Sequence, residues 1–165
     1  MTTSIVKTDL PPPSTLASLL GRADYVRLSL TSDIDLEART GPVDGQPTAT
    51  LDDAWFVRMD ERESRSAPWA TFLHAVGFVD GFDEPVVTSP VERIDAARGV
   101  ALTQSGSIYR LHGGLEARGG GEPPVDHLLA LARALLAWGY GRACHLRVGW
   151  VEPMIAPRWG GWPRD

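Results

Sequence analysis

Ser105, Ser107 and His112 are the residues whose types and spacing come nearest to a nucleophile with its base. A serine hydroxyl attacks only when an imidazole takes its proton and donors wait for the oxyanion. The segment Thr103–Ser107 crowds hydroxyls together, and His112 follows five residues later. It departs from the Gly-x-Ser-x-Gly elbow, because Gln104 and Ser105 precede Gly106. Strand-type residues, Ile-Tyr-Arg-Leu, then follow where the elbow needs a helix. Two readings result. One is a small hydrolase or transferase using His112 with Ser105 or Ser107 and a nearby acid. The other is a turn, since serine and glycine populate turns for conformational reasons of their own.

The remaining reactive side chains are scattered. His74, His112, His127 and His145 show no HxxH or HExxH spacing, and Cys144 is the single cysteine, so no zinc motif is present. His127 and His145 fall on the polar sides of their elements and are expected in solvent. His112, beside two glycines, has no structural explanation from sequence. The acidic pairs Asp52-Asp53 and Asp83-Glu84 have the chemistry for metal binding or hydrolysis, but their neighbours fit solvated turns. Gly119 to Gly121 precede a helix, where free N–H groups attract anions. Lys7 is the only lysine, however, so a phosphate-binding P-loop is excluded. No motif requires a cofactor. At the C-terminal end Trp159 and Trp162 flank two glycines next to Arg158 and Arg164. Tryptophan and arginine anchor protein interfaces; the same rings could instead clamp the tail to the domain.

Bulk composition narrows the class. A chain of 165 residues with 43% hydrophobic and 22% charged residues is an ordinary globular domain. No leader-like segment and no run of 18 apolar residues is visible, so a cytoplasmic protein without a membrane partner is expected. The net charge of -5 is uneven. Residues 1–90 hold 14 acids and 7 bases, whereas residues 91–165 hold 7 acids and 9 bases, all arginine. An acidic first half, including Asp52 and Asp53, suits a basic protein partner and repels nucleic acid. A factor using the later arginines is opposed by the isoelectric point near 5.3.

The elements that must position these residues read as α+β. Residues 1–13 form an arm ending in three prolines, 14–150 one domain, and 151–165 a Pro/Trp-rich tail. Ser14 caps a short helix carrying Leu16, Leu19 and Leu20. Alternation then predicts a hairpin of Val26–Leu30 with Ile34–Ala38, followed by a loop over 40–53. AWFVRM from Ala54 is a short strand, and Pro68 starts a helix through Trp69, Phe72, Leu73 and Val76. Residues 86–94 form a strand broken by Pro90, Gly99 turns the chain, and the stretch to Leu111 returns. A three-stranded meander with Gln104–Ser107 as its second turn is favoured over a simple hairpin. Val125, Leu128, Leu129, Ala132, Leu135 and Leu136 define one long amphipathic helix, and 144–150 a last strand. The expectation is an antiparallel sheet of five to seven strands with one long and two short helices.

Within this plan, the sequence V-T-S-P-V-x-R-I-D (Val87–Asp95) followed by G-V-A-L-T-Q-S-G-S-I-Y-R-L (Gly99–Leu111) resembles uncharacterised small proteins of phages and integrative mobile elements. The resemblance spans residues 87–111 and transfers no functional residue. It implies an accessory, non-catalytic protein that binds a host or defence protein. Asp52, Asp53, Arg158, Trp159 and Trp162 are the binding candidates in that reading.

Overall fold

The computed structural model describes residues 13–20, 24–112 and 121–140. In chain order the elements are a 3-10 turn Ala17–Leu19, β1 Val26–Leu30, α1 Asp33–Glu37, β2 Ala49–Glu61 and β3 Ala70–Val79. There follow β4 Val86–Val87, β5 Val91–Asp95, β6 Val100–Thr103, β7 Ile108–Leu111 and α2 Val125–Ala137. The fold is mixed α+β, with seven strands in one sheet and two helices. No helix among the described residues is long and apolar enough to cross a membrane.

The sheet order is β4-β3-β2-β7-β6-β5, with β1 also paired to β2. Long β2 carries β3 along one edge; its other edge is shared by β7 near residues 49–51 and β1 near 57–61. β4 and β5 lie at opposite ends of this path, yet only residues 88–90 connect them. Four steps from Val87 to Val91 reach at most about 14 Å, whereas six flat strands would span about 24 Å. The sheet therefore curls into a partly closed barrel. Its ends are tied by bonds from Thr88 N–H to the Ala75 carbonyl and from Gln104 N–H to the Pro90 carbonyl.

The curl makes two cores. Leu51, Ala54, Phe56, Leu73, Ala75, Val91, Ile94 and Leu111 fill the inside. Val57, Met59, Val76 and Val26 face outward, where Leu128, Leu131, Leu135 and Leu19 cover them. β2 serves both cores through a bulge. Its register shifts between Asp52 and Trp55, and Asp53 sits at φ 54°. The extra residue moves the inward set from odd Leu51 to even Ala54 and Phe56. Opposite the bulge, a Cβ on Gly77 would lie 2.6 Å from the Asp52 carbonyl oxygen, so only glycine admits this approach of β3.

The meander over 91–111, the break at Pro90, the strand at Val26–Leu30 and the long helix all appear where the sequence places them. Four expectations need correction. Residues 34–38 are not a strand: Ser32 Oγ accepts the Asp35 N–H at 3.2 Å while Asp35 Oδ2 accepts the Ser32 N–H at 3.1 Å. This capping box nucleates α1, turns Leu36 inward and leaves Ile34 77% exposed. The partner of β1 is β2. Residues 68–76 are not a helix, since β3 starts at Ala70, and β2 begins at Ala49, inside the expected 40–53 loop. The sheet is not wholly antiparallel, since β2 and β7 run parallel. The expected strand over 144–150 and most of the 1–13 arm lie outside the described residues, as does the tail over 151–165.

Candidate functional site

The length mismatch between α2 and the hairpin beneath it creates the site. Thirteen helical residues cover about 20 Å, while the ten residues of β3 extend about 33 Å. Near its start α2 meets Phe78, and at its end Trp138 meets His74. Past that point the outward face of β2 and β3 continues without the helix. Strand alternation puts Met59 and Glu61 of β2 on this face with Phe72 and His74 of β3. Trp138 and Tyr140, after α2, form one wall, and Pro90 and Gln104 form the other. The groove so enclosed holds about 360 Å³. It opens past Glu61 and Tyr140 into a second hollow of about 430 Å³ beside Arg62, Glu63 and Pro68.

His74 is the central group. It is 4% exposed, and its Nδ1 lies 2.9 Å from the Thr88 carbonyl oxygen. A carbonyl only accepts, so Nδ1 carries the proton and Nε2 presents a lone pair. That Nε2 is buried and has no hydrogen-bond partner among the described residues. Burial pushes the imidazole pKa down, against the opposing pull of the Thr88 carbonyl, which keeps the ring neutral. Trp138 stacks on it with centroids 4.7 Å apart and planes tilted by 31°.

The neighbouring loop is built to hold this tautomer. Thr88 N–H donates to the Ala75 carbonyl, and Thr88 Oγ1 accepts the Ala75 N–H at 3.1 Å. The same hydroxyl donates to the Ser89 carbonyl at 2.8 Å. These bonds fix the Thr88 carbonyl over His74. Glu61, half-buried at the junction of the two hollows, has its carboxyl pKa pushed up by burial. Arg62 is committed elsewhere: Nε donates to the Asp24 carbonyl at 2.7 Å, one terminal nitrogen donates to the Arg65 carbonyl, and the guanidinium lies over Trp69.

The hydroxyl-rich segment has a placing role for this groove. Ser105 Oγ lies 2.9 Å from Ser89 Oγ and 3.1 Å from Thr103 Oγ1. Thr103 N–H donates to the Ser107 carbonyl, and Gly106 turns at φ 93°. Together with the bond from Gln104 to Pro90, this knot holds one wall of the groove.

His112 stands elsewhere. It follows β7, whereas Ser107 precedes it, a separation of roughly 17 Å along an extended strand. Its Nδ1 pairs with Asp52 Oδ1 at 2.5 Å on an exposed surface. The structure thus gives His112 its acid and connects neither Ser105 nor Ser107 to it. Asp53 neighbours this pair, and its carbonyl accepts from His127 Nε2 at 2.8 Å. His127 corrects another expectation: it is 0% exposed, not solvated. Its Nδ1 lies 2.8 Å from Asp126 Oδ1, and Phe78 packs edge-on against its ring. The buried face of α2 is wide enough at its first turn to include residue 127, which locks the helix to the β2 bulge. Arg158, Trp159, Trp162, Cys144 and His145 lie outside the described residues. Among the described residues no three His, Cys, Asp or Glu side chains gather to hold a metal ion.

Sequence reasoning gave no role to His74, Glu61, Trp138 or Tyr140. The available signal was alternation, Met59-x-Glu61 facing Phe72-x-His74, and it disappears once 68–76 is taken as a helix. No protein-family model, curated protein or solved structure matches the chain.

Proposed function

We propose that this protein is a non-catalytic binding protein whose site is the groove at the end of α2. Its ligand is a small organic molecule that brings a hydrogen-bond donor on an apolar body. The observation that carries this reading is His74 in the groove lining, with a buried Nε2 that has no hydrogen-bond partner among the described residues. Leaving a buried acceptor unpaired costs about 1–3 kcal/mol, and the Thr88 loop is arranged to keep that acceptor in its unprotonated form. A group kept in that state beside aromatic walls is matched to a donor arriving from outside. The class expected from sequence, binding without catalysis, is retained. The position moves from Asp52, Asp53 and the tail tryptophans to the groove, and the ligand from a protein to a small molecule.

Indole, with one N–H on an apolar ring, is a suitable probe. Titrating it into the full chain should shift the amide resonances of Phe72, His74 and Gln104 in a saturable way, and His74→Phe should remove the response. Shifts absent from these residues, or unchanged in a folded His74→Phe variant, would overturn the proposal.

A further inference from the structure

His74 belongs to the groove lining, yet its acceptor is covered, and one member of the cover is held less firmly than the rest. Val57 lies opposite His74 across the β2–β3 ladder, and Val57, Met59 and Val76 on the same outward face are buried in the core beneath α2. The Thr88 carbonyl holds Nδ1, and Thr88 is itself buried. Trp138 differs from all of these. Its ring stacks on the imidazole with centroids 4.7 Å apart, but the residue is 41% exposed. No hydrogen bond ties its indole N–H among the described residues. Its backbone is anchored separately. Trp138 N–H donates to the Ala134 carbonyl, Gly139 N–H to Leu136 and Tyr140 N–H to Leu135, with Gly139 at φ 98°. This is the Schellman pattern that closes a helix. The ring is thus free to change rotamer while α2 and the Tyr140 wall stay in place.

We infer that Trp138 is a gate over His74, and that its ring swings off the imidazole to admit the ligand's donor to Nε2 from the groove that both residues line. This rests on the binding site proposed above and adds how that site opens. In the closed state Nε2 is buried, so a ligand meets it only after something is displaced. Moving Val57 or Val76 breaks the β2–β3 ladder. Moving Thr88 breaks both of its bonds to Ala75. Turning Trp138 gives up ring contacts alone, on a residue already partly in solvent.

Carbethoxylation by diethyl pyrocarbonate, located by peptide mass mapping on the full chain at neutral pH, tests the gate without any ligand. The reagent needs an imidazole nitrogen with a lone pair, which His74 carries at Nε2. In the wild type His74 should react faster than His127, which is fully buried and opens only with the core. Trp138→Ala should raise the His74 rate about tenfold or more, as removing a cover whose open state is a minor population does. His127 should stay unchanged in that variant, and Trp138→Phe, which keeps a ring over the imidazole, should hold His74 near the wild-type rate. Equal rates for His74 and His127 in the wild type overturn the gate, and that comparison serves even if Trp138→Ala does not fold. No acceleration in a folded Trp138→Ala chain overturns it as well, and either result leaves the binding site to the indole titration. If the rates behave as expected and indole still fails to bind, the binding site falls and the mobile cover stands.

Discussion

Acidification should destabilise this protein through His74, and the size of the effect follows from its burial. The folded ring resists protonation, since burial lowers its pKa and Nε2 has no hydrogen-bond partner among the described residues. In the unfolded chain the same ring titrates near the ordinary value of 6.5. Below that value the unfolded state binds the extra proton, so stability falls with falling pH until the folded ring also titrates. Between about pH 7.5 and about pH 5.5 the loss from this one group approaches about 1.4 kcal/mol, the limit when the folded ring stays neutral throughout. Glu61 works with the opposite sign. Its raised folded pKa adds stability that is complete below its unfolded value and lost as pH rises through the folded one. Comparing the wild type with His74→Asn, whose amide can still donate to Thr88, removes the contribution of Glu61 and of the other histidines. Urea unfolding at the two pH values should show the wild type losing about 1 kcal/mol more than His74→Asn. Equal pH dependence in the two proteins would refute the buried neutral imidazole.

Three further substitutions probe the frame around the site. Gly77→Ala places a methyl against the Asp52 carbonyl, where both partners are backbone; urea unfolding should show a loss of about 2–3 kcal/mol. His127→Leu leaves the Asp53 carbonyl without its ring donor, for a loss of about 1–3 kcal/mol by the same assay, and amide exchange should rise first at the start of α2. Ser32→Ala removes the α1 cap at a cost of about 1 kcal/mol. It should also raise the Asp35 carboxyl pKa in a proton titration. Burial already pushes that pKa up, and the Ser32 bonds, then Arg58 and Arg39, are what hold it down.

The parts of this fold that were legible are those where one physical signal acts alone. The α2 stripe is unbroken over three turns, and Pro90, Gly99 and Gly106 punctuate the meander at the positions where the strands stop. β3 was illegible because it is buried on both faces. Leu73 and Ala75 point into the barrel while His74 and Val76 face α2, so its apolar residues run on without alternation and mimic helical spacing. For α1 the error ran the other way: Ile34, Leu36 and Ala38 alternate as a strand would, but the Ser32–Asp35 cap sets the local conformation. The site was hidden as a consequence. His74 and Glu61 lie 13 residues apart on neighbouring strands, and only the β2–β3 pairing puts them on one face. His112 draws attention because two glycines follow it, yet among the described residues its partner is Asp52 on an exposed surface.

The most direct test of the account is the state of the His74 ring nitrogens, read by long-range nitrogen–proton correlation on the full chain at neutral pH. The free protein should show a protonated Nδ1 and an unprotonated Nε2, with the Nε2 resonance moving upfield as indole saturates the groove. A protonated Nε2 in the free protein, or an Nε2 resonance that ignores indole, would contradict the proposed site.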